Sequence, residues 1–397
     1  MIVRWAPAAA WAYLLFGRGR FWDAGTKLPE APGGPGGPGE PARWPPVAVV
    51  VPARDEAALL PRTMAALLAQ DYPGHAHVVL VDDQSSDGTG EVAREVARRS
   101  AEASLGLSVV KGAPRPPGWA GKPWAMAQGV QRAMSAPVPP EWILFTDADI
   151  AHPPGSLRHL VASAVGSDRA AVSLMARLST ASRWERLTMP LFVYFFAQIY
   201  PFKWVNDPER ATAAAAGGCL LVKAAALEEA GGVGAFASAT IDDVALAKAL
   251  SAAGFDIWLA LAGDGSPGQA PNVESLRHYP HLADVWEMVA RNAYTQLGYS
   301  PAALVGTVAG LSTVYLAPPL LAAAGLLSRK PGPLLAGLAA WTAMAASYLP
   351  IARYYKVPAA TAAALPFTSS LYMAMTLDSA RRHRSGKTGW KRRPAGP

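Results

Sequence analysis

From Val47 onward, short apolar runs rich in β-branched residues alternate with stretches of helical periodicity. Val47–Val51, His77–Val81, Leu107–Val110, Trp142–Thr146 and Ala170–Leu174 are the expected strands. Helices are expected through Leu59–Gln70 and from Asp87-Gly-Thr to about Ala103. A βαβα alternation of this kind predicts an α/β domain with a mostly parallel sheet covered by helices. After Ser300 the pattern changes to three apolar stretches, Ala302–Leu327, Leu334–Ile351 and Val357–Leu377, broken at Arg329–Lys330 and Arg353–Lys356. Each is long enough, or nearly so, to cross a hydrocarbon core of about 30 Å at about 1.5 Å per residue. Charges avoid their interiors, as lipid demands. Residues 5–16 form a shorter apolar run between Arg4 and Arg18, which fits a membrane helix, an interfacial helix or a plain core segment.

Composition sharpens this picture. Only 16% of the 397 residues are charged and 51% are hydrophobic, too oily for an ordinary soluble enzyme. Gly-Gly-Pro-Gly-Gly-Pro-Gly within Pro32 to Pro46 cannot pack and reads as a linker. The expected organisation is an N-terminal membrane helix or anchor (1–22), a linker (23–46), an α/β domain (47–299), membrane segments (300–380) and a basic tail (381–397). The single cysteine, Cys219, excludes an intramolecular disulfide and suits a reducing cytoplasm. Net charge is +7, and seven Lys/Arg lie between Arg381 and Arg393. Beside an apolar run, that tail reads as a positive-inside anchor at anionic lipid rather than a nucleic-acid surface.

Three acidic pairs each fall where a strand-like run ends: Asp82–Asp83, Asp147–Asp149 and Asp242–Asp243. Ligands bind at strand ends in parallel α/β sheets. Two carboxylates spaced i, i+2 supply the hard oxygens that suit Mg²⁺ or Mn²⁺ carried on a phosphate. Glu56 and Arg54 follow the first strand, where a nucleotide should lie. Lys122 sits in a Gly/Pro-rich loop, placed to meet a diphosphate as a point charge. Each has a plainer reading. Asp82, Asp83, Glu56, Asp242 and Asp243 could be helix-start acids, and Lys122 a solvated loop lysine.

Val49-Val-Val-Pro-Ala-Arg-Asp-Glu56, Leu80-Val-Asp-Asp-Gln-Ser-Ser-Asp-Gly-Thr89, Thr146-Asp-Ala-Asp149 and Ile241-Asp-Asp243 occur in one order that resembles the family 2 glycosyltransferases. Gly118-Trp-Ala-Gly-Lys-Pro-Trp124, Asp71-Tyr-Pro-Gly74, Tyr294-Thr-Gln-Leu297 and Trp390-Lys-Arg are similar to the membrane-bound, hopene-associated members. The resemblance covers about residues 46–297 and implies a GT-A-like nucleotide-sugar-binding domain. It implies donor contacts at Arg54, Glu56, Asp82, Asp83, Lys122, Asp147 and Arg291. Asp149, with Asp147, would hold the divalent ion; Asp243 would be the catalytic base. Asp242, Gly217 and Gly218 would line the acceptor side. Asp242 stands where glutamate is commoner. The processive members' Gln-x-x-Arg-Trp motif is reduced to Met288-Val-Ala-Arg-Asn292, which keeps Arg291 but lacks the stacking tryptophan.

These features together predict a membrane-anchored, metal-dependent, inverting glycosyltransferase. It would move one sugar from a nucleotide-sugar donor, a UDP-sugar on this reading, to a lipid acceptor of hopanoid or polyisoprenoid type. The alternatives are a processive polysaccharide synthase and a non-catalytic scaffold of a lipid-pathway assembly. The expected location is a bacterial-type cytoplasmic membrane, multi-pass, with the catalytic domain on the cytoplasmic side and no nucleic-acid partner. The aromatic stretch Leu187–Val205 reads as an amphipathic guide for lipid, or as core. Catalytic domain and tail on one side require an even number of crossings. Ala302–Leu327, with its Pro318–Pro319 break, is therefore expected to be interfacial or re-entrant.

Overall fold

The computed structural model describes residues 2–29, 41–100, 103–263, 270–385, 389, 390, 393 and 394. It divides into two compact units. One comprises Thr26–Leu178, Trp204–Arg277 and Gly389–Pro397; the other comprises Met1–Gly25, Ser179–Lys203 and His278–Thr388. The expected 47–299 domain is thus cut: the segments 179–203 and 278–299 group with the terminal helices instead.

Among the described residues the first unit has eleven strands: β1 Val47–Ala53, β2 Ala76–Asp82, β3 Gly106–Lys111, β4 Trp142–Phe145, β5 Ile150–Ala151, β6 Ala171–Met175, β7 Leu220–Lys223, β8 Ile257–Leu261, β9 Glu274–Ser275, and the short pair β10 Gly389–Trp390 and β11 Arg393–Pro394. Seven form one sheet in the order β3-β2-β1-β4-β7-β6-β8, parallel except that β7 runs against both neighbours. The alternating strand geometry sends successive side chains to opposite faces. Val47, Val49 and Val51 pack with Leu60, Met64, Leu157 and Leu160 on one side. On the other, Val50, Ile143 and Phe145 pack with Met126, Leu246 and Leu250. Helices therefore cover both faces. Parallel β1, β2 and β4 deliver Arg54, Asp82 and Asp147 to one edge of the sheet. Antiparallel β7, with Phe145 opposite Leu220, begins at that same edge and brings Gly217 and Gly218 there. The alanine run before those glycines has the look of a strand in sequence. It is instead an irregular, buried segment, and the strand follows the glycines.

In the second unit the helix Ala6–Phe16 has 11 residues, spanning roughly 16 Å, too short to cross a bilayer. Two helical runs are long and apolar enough to do so: Pro301–Leu327 and Pro331–Tyr354. The expected break at Pro318–Pro319 does not occur; a π-helical turn over Ser312–Leu316 leads into Ala317–Leu327 without interruption. Pro318 has no N–H to give the Val314 carbonyl, and the fully buried Trp11 supplies one, its indole N–H donating to that oxygen at 2.7 Å. Trp11→Phe should therefore cost about 1–3 kcal/mol, the expense of stranding that acceptor. Chemical denaturation against the unchanged protein would measure it.

The third apolar stretch is the one that falls short. It divides into Ala360–Ala363 and Leu365–Arg384. The latter is held by polar ties: Trp286 Nε1 to Asp378 at 2.9 Å, Arg382 Nε to Asp378 at 2.8 Å, and the Tyr372 hydroxyl to the Thr188 carbonyl at 2.8 Å. Arg382 also pairs with Glu287, so at least one of the basic residues is a packing group. Lys387, Lys391 and Arg392 lie outside the described residues. The stretch Leu187–Val205 continues a helix capped by Ser182 and Glu185 and buries Met189, Leu191, Val193 and Tyr194. These side chains take the core reading.

Candidate active site

At the sheet edge Lys122 is the hub. It lies in the first turn of the helix Gly121–Met134, and its Nζ sits 2.8 Å from Asp147 and 3.0 Å from Asp242. Burial alone would lower its pKa. The carboxylates of Asp147, Asp242 and Asp243 outweigh that and hold it above the ordinary lysine value. Lys122 is thus an engaged, largely buried cation rather than a solvated loop lysine. Asp242 and Asp243 open the helix Asp242–Ala252, where the helix dipole favours negative charge. Asp243 accepts hydrogen bonds from the Gly217 N–H at 2.7 Å and the Val244 N–H at 2.8 Å. A methyl group on Gly217 would lie 3.1 Å from Lys122 Nζ and 3.3 Å from Asp243, so only glycine leaves these groups at their present spacing.

Burial, with the neighbouring Asp242, pushes the Asp243 carboxyl up to about 6, against the pull of Lys122. Burial likewise pushes Asp147 up to about 6; Lys122 opposes the rise, and Asp149 and Asp242 add to it. The two acids share a cation, so the cluster titrates as a unit. Behind it, the Thr146 hydroxyl bridges His152 and the Gly218 carbonyl, each at 2.8 Å. Burial drives His152 down to about 4, so the ring is neutral and ties the β4 end to the glycine loop. Gly218 packs against Ile150, which would meet an added methyl at 3.1 Å.

A second cluster lies on the far side of Asp147. The two-residue ladder of β5 with β9 lays Ser275 and Arg277 over Asp149. Asp149 accepts from Arg277 Nε at 2.9 Å and from the Ser275 hydroxyl at 3.2 Å, and Arg277 also pairs with Glu56. Glu56 is therefore committed to an ion pair, although its backbone also begins the turn into Leu60–Leu68. Arg277 is not among the residues that the sequence motifs single out. The signal that could have found it is an unassigned cation just after the last strand of a site rich in carboxylates.

The other expected residues divide. Asp87, not the Asp82–Asp83 pair, serves the next helix, accepting from the Thr89 N–H at 3.0 Å. Asp82 accepts from the Ser85 N–H at 3.0 Å and remains partly exposed at the edge. Asp83, expected as a donor contact, has no exposed surface and faces Arg54, whose Nη1 donates to its carbonyl at 2.8 Å. Its carboxylate also lies 3.4 Å from Arg54 Nη1. Arg54 Nε is buried without a hydrogen-bond partner, and the Asp55 carboxylate lies 3.8 Å from it. Arg291 lies on the helix Leu282–Gln296 of the other unit. Cys219 is fully buried and its thiol pushed up to about 12, which removes it as a nucleophile. Among the described residues no three His, Cys, Asp or Glu side chains form a ready metal cage. Asp147 and Asp149 suit the other mode, in which one or two carboxylates share a hard cation with substrate phosphates.

The sheet, its helices on both faces and the carboxylates at its strand ends define a GT-A-like α/β domain. The family model described as "Glycosyltransferase like family 2" matches residues 45–264, more than half of the chain, and the chain belongs to that family. Among solved structures, the mannosyltransferase PcManGT from Pyrobaculum calidifontis, in complex with GDP-Man and Mn²⁺, aligns over 98% of this chain and 100% of its own. Identity is 21% and the TM-score 0.50. The M. tuberculosis glucosyl-3-phosphoglycerate synthase aligns over 64% of this chain and 80% of its own, with 17% identity and a TM-score of 0.40. At 21% identity the likeness to the mannosyltransferase is one of fold. No curated protein matches the chain.

Proposed function

We propose that this chain transfers a single sugar from a nucleotide-sugar donor to a lipid hydroxyl with inversion, using Asp243 as base. The observation that supports this best is the meeting of Asp147, Asp242, Asp243 and Gly217 around one buried lysine at the sheet edge. Arg54 and Asp82 take the nucleotide side; the strand-end glycines leave room for the sugar. Asp147 and Asp149 hold a divalent ion, which when bound offsets charge on the leaving diphosphate. Asp243, fixed by the Gly217 N–H, takes the acceptor proton as its oxygen attacks the anomeric carbon. Lys122 keeps the neighbouring carboxylates ionised and in place. Arg291 is assigned to the diphosphate on the sequence resemblance, as are the UDP-sugar donor and a hopanoid or polyisoprenoid acceptor. The lost tryptophan after Arg291 favours one transfer over polymerisation.

Purified protein incubated with a panel of UDP- and GDP-sugars should release nucleotide only with one donor, and faster when bacterial lipid extract is present. Release with no donor at all would end the reading. Activity should fall as pH drops through about 6, because the base must be ionised and its carboxyl is raised to that value. Asp242→Asn removes a like charge and frees Lys122 for Asp243, so both effects move the acid limb to lower pH.

For placement we propose that Pro301–Leu327 and Pro331–Tyr354 cross the cytoplasmic membrane, two crossings that leave domain and tail on the cytoplasmic side. Ser135→Cys and Ser385→Cys, each in a Cys219→Ser background, should both resist an impermeant maleimide in intact cells. Labelling of one alone would reject an even count.

A further inference from the structure

Asp149 and Glu56 follow different strands, β4 and β1, yet one guanidinium neutralises both. Arg277 presents Nε to Asp149 at 2.9 Å and Nη2 to Glu56. The two carboxylates are well buried, with side-chain exposures of 14% and 9%, against 31% for Arg277. Buried carboxylates need a cation, and a guanidinium fork meets two of them at once where an ammonium would meet one. A hard divalent ion at Asp149 answers the same need. The Arg277 backbone arrives through the β5–β9 ladder and the Leu276 N–H bond to the Asp149 carbonyl at 2.8 Å, so the side chain is delivered to this place by the fold.

We propose that Arg277 is a built-in competitor for the divalent ion at Asp149. It keeps the ion weakly held until a nucleotide diphosphate is present to accept the displaced guanidinium. This rests on the assignment of Asp149 as an ion ligand. The consequence is thermodynamic: ion and nucleotide bind cooperatively because each relieves the other of the same arginine. A residue that merely positioned Asp149 would act with the opposite sign, since its loss would weaken the ion.

The test is Mn²⁺ binding to the full chain in detergent, read by electron paramagnetic resonance of free Mn²⁺, with and without UDP or GDP. Arg277→Gln should bind Mn²⁺ alone more tightly than the unchanged protein by at least about 10-fold, the worth of one charge-assisted hydrogen bond. Its gain from added nucleotide should shrink correspondingly. Arg277→Lys, keeping the charge but losing the fork, should fall between, and serves if the glutamine variant does not fold. If Asp149→Asn weakens Mn²⁺ binding while neither Arg277 variant tightens it, the competition is refuted and the ion assignment stands. If Asp149→Asn binds Mn²⁺ as the unchanged protein does, the ion assignment fails and the competition with it.

Discussion

Asp243→Asn is expected to bind donor as the unchanged protein does and to lose sugar transfer by at least about 10²-fold, the lower end of what general-base catalysis contributes. The substitution keeps the size of the side chain but leaves one acceptor for two backbone donors, the Gly217 and Val244 N–H groups, so one of those bonds is given up. An amide oxygen can still accept from the Gly217 N–H, which now sits 2.7 Å from the carboxylate, and the position stays in the first turn of its helix. What disappears is the ability to take a proton. Asp242 is the less suited base, because that carboxylate lies against Lys122 at 3.0 Å. Steady-state rates with the donor identified by the panel, beside calorimetric donor affinity, give the split. A near-native rate would make Asp243 a helix-start acid and move the search to Asp242.

The parts of this site that were legible in the sequence share one property: they lie at the ends of strands with their own local signal. Val47–Ala53, Ala76–Asp82 and Trp142–Phe145 are apolar runs ending in charge, so Arg54, Asp82 and Asp147 could be placed on one edge from the parallel topology alone. β7 carried no such signal. Its four residues follow an alanine run that mimics a strand, and its reversed direction depends on pairing with β4 and β6, which local pattern does not encode. Arg277 was hidden for the same reason, since it reaches Asp149 through the two-residue β5–β9 ladder. Asp83 looked equivalent to Asp82, but it lies just past the end of the strand, buried against Arg54, while Asp82 stays partly exposed at the edge. The Pro318–Pro319 pair misled in the other direction. Its lost backbone bond is replaced by Trp11, some three hundred residues away in the chain, a compensation that only the folded structure displays.

Lys122→Met is expected to damage both stability and activity. The lysine side chain is 18% exposed and faces Asp242 at 10% and Asp147 at 36%, so the cluster is mostly withdrawn from water. Breaking a buried pair by removing one partner typically costs about 3–5 kcal/mol, because the remaining charge is left uncompensated. The partial exposure of Asp147 puts the expected loss toward the lower end. The sign of the pH dependence follows from the acids that remain. Asp147 and Asp243 already sit at about 6, above the ordinary carboxylate, and losing the lysine raises them further. An acid whose folded pKa is raised binds its proton more tightly when folded, so its burden on stability is relieved as pH falls through that pKa. Denaturant unfolding at pH 7.5 and at pH 5.5 should therefore show a large deficit for the variant at the higher pH and a smaller one at the lower. Adding Asp147→Asn to Lys122→Met should recover part of the loss at pH 7.5, since it removes one of the stranded charges, and should recover no transfer activity. A lysine variant as stable as the unchanged protein at pH 7.5 would mean that water, not Lys122, compensates these carboxylates, and the hub role would be withdrawn.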